Sequence, residues 1–232
     1  MISPAALPDL SEPYTTSKED IETYQRDGHV TLRGVLKPAE VDAYRRAITE
    51  AVQRLNQESR PLEERDTYGK AFLQTMNLWE FDEAAAKFTL SKRFGGIAAE
   101  LMGVDRVRLY HDQALFKEAG GGPTPWHQDQ FYWPIECRTV TMWMPLVPAT
   151  TEMGTMKFAA GSRLKLLTEG SLQSGLYTTT SGNAPGQVTF SGFSGTQTCQ
   201  PTVRTLGLMN TSVSTSVIVA SVSGLSLPVV CR

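Results

Sequence analysis

An α+β domain, in which helices precede a β-sandwich or β-barrel core, is the fold class that the sequence predicts. Up to Gly103, apolar residues recur mainly at spacings of three and four between helix-capping residues. Between residues 104 and 160 the spacing becomes two, and Gly- and Pro-containing turns separate the segments. Helices followed by a run of short strands are typical of this fold class.

The first elements are a Pro-rich lead-in, a short helix and a strand. Ser17 is suited to cap the helix, Glu19 and Asp20 lie near its positive end, and Gly28 is positioned to end it. The segment HVTLRGVL, residues 29–36, then alternates like a strand.

A second helix is predicted over KPAEVDAYRRAITEAVQRLNQ, residues 37–57. Its apolar residues follow one another at spacings of three and four, which is the period of a helix with a single buried stripe. The stripe consists of Val41, Tyr44, Ile48, Val52 and Leu55.

The middle of the chain changes from helical to extended patterns. Residues 72–81, FLQTMNLWEF, are predicted to be extended, and residues 82–103 are predicted to form two helical pieces ended by Gly103. Strands are then predicted in VRLYHDQALFK, TPWHQDQFYW, RTVTMWMPLV and GTMKFAAG.

The last part of the chain has a different composition. From Thr168 onward the only charged residues are Glu169, Arg204 and Arg232, and Ser, Thr and Gly are abundant. Such a segment either forms β-strands with hydroxyl-rich faces, as VSTSVIVASVSGLSLPVV indicates, or remains flexible as low-complexity sequence. The sequence leaves both alternatives open.

Composition excludes several classes of function. The formal net charge of −2 comes without a basic stripe, which argues against nucleic-acid binding. No run of apolar residues is long enough for a membrane span, and the first residues do not resemble a secretory signal. The cysteines Cys137, Cys199 and Cys231 suggest neither a disulfide framework nor a zinc site, so we expect a cytoplasmic protein.

The residues that carry chemistry are those of the motif Trp126-His127-Gln128-Asp129. Side chains at positions i and i+2 of a strand point to the same face, so His127 and Asp129 can reach one metal ion. Non-haem iron oxygenases use two His and one carboxylate, which leaves coordination positions open for a 2-oxo acid and for dioxygen. Taken alone, the motif also fits a hydrogen-bonded structural pair.

Two longer segments resemble the phytanoyl-CoA dioxygenase family. They are YQRDGHVTLRGVLKPAEVDAYRRAI and the run that begins LYHDQALFKEAGGGPTPWHQDQ and continues through Trp143, and the resemblance covers about residues 18–163. It implies a double-stranded β-helix (a jelly roll, cupin-like) behind N-terminal helices. It also implies an oxidoreductase, a dioxygenase that holds iron(II), consumes 2-oxoglutarate as co-substrate and hydroxylates a small molecule.

The resemblance assigns roles to five residues. His127 and Asp129 match the first two metal ligands, Trp143 and Gln113 match residues that line the 2-oxoglutarate pocket, and Gln74 matches a third pocket position more loosely. An amide at Gln113 can donate to a carboxylate. The alternatives are a sheet residue satisfied by backbone for Gln113 and a core residue between sheets for Trp143.

The sequence departs from the family after Arg163. Family members supply a second metal-binding His, and an Arg for 2-oxoglutarate, from later strands, but this sequence contains no His after His127; its others are His29 and His111. We therefore expect a jelly roll that is incomplete at its C-terminal end. The predicted organisation is a lead-in (1–17), the dioxygenase-like domain (18–163) and an atypical tail (164–232), for which a shifted reading frame is one hypothesis.

The sequence therefore leaves open whether the chain is an active enzyme. The leading interpretation is a dioxygenase of this family, inactive if the absent distal His proves essential. The runner-up is a non-catalytic jelly-roll relative that binds a small molecule, and a β-sandwich unrelated to iron is a third. Prime substrate and oligomeric state are not determined by the sequence.

Overall fold

The computed structural model describes residues 2–124, 138–160, 177–178, 188–193 and 212–221. In these ranges the α-helices are α1 Lys18–Asp27, α2 Pro38–Leu55, α3 Thr67–Ala71, α4 Leu78–Phe81, α5 Glu83–Thr89 and α6 Lys92–Met102. Within them, no helix offers the length of apolar sequence that a bilayer crossing requires.

The strands form one large antiparallel sheet and one small pair. They are β1 His29–Leu32, β2 Leu73–Met76, β3 Val107–Lys117, β4 Thr139–Pro145, β5 Phe158–Ala159, β6 Tyr177–Thr178, β7 Val188–Phe193 and β8 Ser212–Ser221. The large sheet has the order β1-β7-β4-β8-β3-β2, and β5 pairs with β6. Helices together with an antiparallel sheet confirm the α+β class.

The first helix begins and ends as the sequence predicts. The Ser17 hydroxyl accepts a hydrogen bond from the Asp20 backbone N–H (3.1 Å), and the Asp20 carboxylate accepts one from the Ser17 N–H (3.2 Å). Gly28 adopts the left-handed conformation (φ 82°) and its N–H donates to the Tyr24 carbonyl at 2.9 Å. The strand that follows is shorter than predicted, since β1 ends at Leu32.

The predicted stripe of α2 is confirmed. Val41, Tyr44, Ile48 and Val52 are buried in the core, and Leu55 packs against it partly buried. The Tyr44 ring lies 5.0 Å from the ring of Phe88 on α5, centroid to centroid. The stripe of α2 therefore packs against α5 within the helical layer.

The prediction that residues 72–81 are extended is wrong for the second half of that stretch. β2 ends at Met76, and α4 begins after Asn77, which has a left-handed backbone (φ 55°). The Asn77 N–H donates to the Asp112 carbonyl at 2.9 Å, and Leu78 is buried. The chain therefore leaves the strand conformation at Asn77, where it is hydrogen-bonded to Asp112 of β3. Local sequence could not indicate this contact.

The strand predictions between residues 104 and 160 have mixed outcomes. VRLYHDQALFK is β3 and RTVTMWMPLV contains β4, as predicted. In GTMKFAAG only Phe158–Ala159 is a strand, and TPWHQDQFYW lies almost wholly outside the described residues. Of the two alternatives for the tail, strands are what the structure describes, because β7 and β8 lie inside the large sheet.

The large sheet has one face for the helices and one for polar residues. Side chains of the first face belong to the same buried cluster as those of α1, α2, α5 and α6. The strand residues in this cluster include Val30, Leu32, Ala114, Val140, Met142 and Met144. Strand residues next to these point to the opposite face, because side chains alternate along a strand.

A buried ion pair fixes the helical layer to the lead-in. The Arg93 guanidinium donates to the Glu40 carboxylate (3.0 Å), to the Val35 carbonyl (3.0 Å) and to the Glu12 carbonyl (2.9 Å). Both charged side chains are buried. The Tyr44 hydroxyl donates to the Pro8 carbonyl at 2.6 Å, so residues 1–17 are part of the packed structure.

Arg93→Met is expected to lower the free energy of unfolding by about 3–5 kcal/mol, because it leaves the Glu40 carboxylate buried without its cation. Urea unfolding followed by circular dichroism measures this. The control is Arg46→Met, which removes an exposed partner of Asp42 at 3.5 Å and should cost less than about 1 kcal/mol. Equal losses in the two variants would contradict the role given to the buried pair.

Candidate active-site face

The polar face of the large sheet gathers the sequence-predicted site residues that the structure describes. Strand register places Thr31, Trp143, Gln113 and Met76 in one row that crosses the sheet through β7 and β8. Residues opposed in neighbouring strands lie on the same face. On this face lie His29, Thr31, Gln74, His111, Gln113, Lys117, Thr141 and Trp143.

Gln113 and Gln74 form a side-chain pair on this face. The Gln74 amide donates a hydrogen bond to the Gln113 amide oxygen. Gln74 lies opposite Leu115 in the β2–β3 register, which brings its side chain diagonally beside Gln113. Gln74, whose assignment to the pocket was the looser one, is therefore next to Gln113 in space, although 39 residues separate the two in the chain.

Trp143 lies in a strand that is buried throughout. Every residue of β4 is buried, and Trp143 itself is 6% exposed. It shares the row of Gln113, with only β8 between β4 and β3, so the two backbones are ~10 Å apart. Trp143 of β4, Gln113 of β3 and Gln74 of β2 thus face the same space from three strands, and their contact with a ligand remains a prediction.

The two predicted metal ligands, His127 and Asp129, lie outside the described residues. In the part of the chain that is described, no three His, Cys, Asp or Glu residues come close enough together to hold a metal ion. His111 lies on the polar face two residues before Gln113; it is buried, and its ring is 5.1 Å from that of Tyr110. The assignment of the metal site stays a prediction.

His29 lies at the far edge of the same face. Its ring stacks on Phe158 of β5, with centroids 5.1 Å apart and an angle of 13° between the planes. Burial lowers the pKa of His29, and a hydrogen bond to the backbone of Asp27 and the charge of Asp27 oppose this only in part. Four strand spacings separate β1 from β3, so His29 and His111 cannot meet at one ion.

Asp112 is a buried carboxyl group that the sequence reasoning missed. It points to the helical face of β3, where burial raises its pKa against hydrogen bonds from the Thr89 hydroxyl (2.9 Å) and from the backbone of Trp79 and Leu78. Its side chain therefore meets the start of α4. The sequence signal that could have indicated the burial of Asp112 was its place among the apolar residues on one face of the alternating strand β3.

Comparison with known proteins identifies both a family and a fold. The model of the family described as phytanoyl-CoA dioxygenase (PhyH) matches residues 24–180. No curated protein sequence matches the chain. The family match extends beyond residue 163, where the resemblance in the sequence could no longer be followed.

Several solved structures have a similar fold. The non-heme alpha ketoglutarate dependent carbocyclase SnoK from nogalamycin biosynthesis is 21% identical, with a TM-score of 0.70 over 90% of this chain and 87% of its own. EvdO2 from Micromonospora carbonacea var. aurantiaca, solved with 2-oxoglutarate, is 17% identical, with a TM-score of 0.62 over 94% and 96%. EctD from S. alaskensis, solved with bound Fe, is 13% identical, with a TM-score of 0.62 over 93% and 82%. At these identities the likeness establishes the fold alone.

His29→Phe is expected to make stability less dependent on pH below neutrality. Because the pKa of His29 is lower in the folded than in the unfolded chain, the unfolded state binds the proton first, and stability falls as the pH drops below about 6.5. Between pH values of about 7.5 and 5.5 this effect can reach about 1.3 kcal/mol in the wild type, and it should be absent from the variant, which keeps a ring against Phe158.

Urea unfolding at the two pH values measures the difference. An identical pH dependence in the wild type and in His29→Phe would rule out the proposed contribution of His29.

Proposed function

The chain belongs to the phytanoyl-CoA dioxygenase family, and from that premise we propose that it is an iron(II)- and 2-oxoglutarate-dependent dioxygenase that hydroxylates a small molecule. The observation that supports this most is the row shared by Gln113 and Trp143 on the buried polar face. Bound iron(II) and 2-oxoglutarate would supply the oxidising power, and the residues below would hold and shield them. We further propose that the protein acts in the cytoplasm.

His127 and Asp129 are the residues proposed to hold the iron. An imidazole and a carboxylate fit iron(II) by donor type, and their i, i+2 spacing lets both reach one ion. The sequence contains no His after His127 to act as the third ligand, so we expect weaker iron binding than a complete triad gives. The two-ligand donor set leaves more positions for 2-oxoglutarate and solvent.

Gln113, Gln74 and Trp143 are the residues proposed to line the co-substrate pocket. Amide N–H groups can donate to a carboxylate, and the Gln74–Gln113 hydrogen bond orients the pair. The buried strand β4 keeps water away from one wall, which strengthens such hydrogen bonds and limits side reactions. In this arrangement the chain binds and orients the co-substrate rather than transferring protons to it.

A double-stranded β-helix that is incomplete at its C-terminal end is the proposed finer architecture. The large sheet supplies one wall, and β5 with β6 is the start of the other, as His29 of β1 stacking on Phe158 of β5 indicates. The similar solved structures support it through their TM-scores of 0.62–0.70.

A non-catalytic small-molecule-binding relative is the second candidate function. The missing second metal-binding His favours it, because productive oxygen activation in this class of enzyme uses a facial triad of two His and one carboxylate. The hypothesis of a shifted reading frame over residues 164–232 would account for the missing His. Sequencing of independent transcripts tests this hypothesis, and a continuous reading frame through residue 232 would reject it.

Anaerobic iron(II) titration of the metal-free protein with 2-oxoglutarate is expected to produce the weak visible charge-transfer band of an iron chelate. His127→Ala should abolish the band, because only Asp129 then remains of the proposed ligands. His111→Gln, a change at the buried histidine of β3, should leave it intact.

The two variants separate the alternatives. Absence of the band in the folded wild type would favour the non-catalytic relative over the dioxygenase. Loss of the band in a folded His111→Gln protein would make His111 the third ligand and would overturn the two-ligand assignment.

Gln113→Ala is expected to raise the dissociation constant for 2-oxoglutarate about tenfold, since one hydrogen bond to a charged group contributes about 1.4 kcal/mol. The same titration at fixed iron(II) measures it. Gln53→Ala, on the exposed side of α2, is the control and should leave the constant unchanged. Equal affinity in the Gln113 and Gln53 variants would remove Gln113 from the pocket.

A further inference from the structure

Lys117, the last residue of β3, lies on the polar face of the sheet beyond the proposed co-substrate pocket. It follows Gln113 and Leu115 at steps of two, so all three point the same way. Phe72 directly precedes Leu73, the partner of Phe116, and so stands at the level of Lys117. The two residues therefore occupy the end of the β2–β3 edge on the site face.

The Lys117 ammonium group is held by two contacts, and only some of its N–H donors are used by them. Its Nζ donates a hydrogen bond to the Gly122 carbonyl and lies 4.7 Å from the centroid of the Phe72 ring. A Cβ at Gly154 would stand 3.6 Å from its Cε, so the stem passes close to that turn. An ammonium group has three N–H donors, and one of them is used by Gly122.

Lys117 differs from the buried arginines of the chain in having no anionic partner among the described residues. Arg65 is paired with Glu118, the residue next to Lys117, and Arg93 is paired with Glu40. Burial lowers the pKa of Lys117, and among the described residues no carboxylate acts to raise it. A half-buried cation that no described carboxylate pairs with, at the edge of a proposed active site, is suited to an anionic ligand.

We propose that Lys117 and Phe72 bind the anionic group, a carboxylate or a phosphate, of the prime substrate. The Lys117 N–H groups donate to the anion, and the Phe72 ring packs against the adjoining carbon skeleton. The substrate class is therefore a small organic acid or phosphate ester. This assignment of the site to a substrate rests on the proposed dioxygenase function.

The distance along β3 distinguishes this anion from the co-substrate. Lys117 is four residues beyond Gln113, which is ~13 Å along the strand. The contacts with Phe72 and Gly122 hold Nζ at the strand end, away from Gln113. A five-carbon diacid bound at Gln113 and Trp143 does not extend that far, whereas a second molecule does.

Within the described part of the chain, an exposed aromatic residue lies beside Phe72. Tyr68 on α3 is 55% exposed, and its ring stands edge-on to Phe72 with centroids 6.4 Å apart. An aromatic pair with one exposed member next to a cation suits an amphipathic acid better than a fully hydrated ion.

Thermal unfolding of the metal-free protein in inorganic phosphate or in acetate, each against sodium chloride of equal ionic strength, tests the binding site without iron. At about ten times the dissociation constant, the wild type should unfold about 3 °C higher in at least one of the two anions. Lys117→Met should lose this difference, and Lys117→Arg should retain it. Lys70→Met removes a neighbouring cation and is the matched control, expected to respond like the wild type.

A folded Lys117→Met protein that responds to both anions as the wild type does would overturn the proposal. So would a wild type whose unfolding is the same in both anions as in chloride. If Lys117→Met does not fold, Lys117→Gln replaces it under the same criteria. None of these outcomes depends on iron binding, so they stand whether or not the dioxygenase function is correct.

The affinity for 2-oxoglutarate, measured by the charge-transfer band, separates the two anion sites. Lys117→Met should change it less than twofold. A tenfold loss would assign Lys117 to the co-substrate and overturn its assignment to the prime substrate.

Discussion

The alternation of side chains in the large sheet is the constraint on which the rest of this structure depends. Met142 and Met144 of β4 and Ala114 of β3 must face the helices, because exposing them to water would cost the hydrophobic free energy that holds the two layers together. A shift of register by one residue would exchange the two faces. Burial of the apolar face therefore fixes which residues line the opposite, polar face.

The helical layer that covers the apolar face is itself held by non-local polar contacts. Arg93 on α6 joins α2 through Glu40 and the lead-in through the Glu12 carbonyl. Such a buried pair does not add more stability than well-packed apolar residues would, because desolvation offsets much of the attraction. Its contribution here is positional, since three separate segments of the chain share one guanidinium.

On the polar face of the large sheet, residues for which the sequence predicted a role lie beside residues whose proximity the sequence could not predict. Gln113 and Trp143 are predicted pocket residues by resemblance, but their common row depends on β8, which comes from the atypical tail. The pairing of Gln74 with Gln113 depends on the β2–β3 register. Lys117 could be placed on the same strand face from sequence, but the pairing of the adjacent Glu118 with Arg65 depends on the tertiary structure.

The sequence by itself determined the elements whose signals are local. The Ser17 cap, Gly28, the stripe of α2 and the alternation of β3 and β4 each involve residues within a few positions of one another, and local hydrogen bonds and hydrophobic period decide them. Tertiary structure alone decided α4, the environment of Asp112, the amide pair and the row from Trp143 to Gln113. These depend on contacts between strands far apart in the chain, and such contacts are set by the packing of the whole sheet rather than by any local pattern.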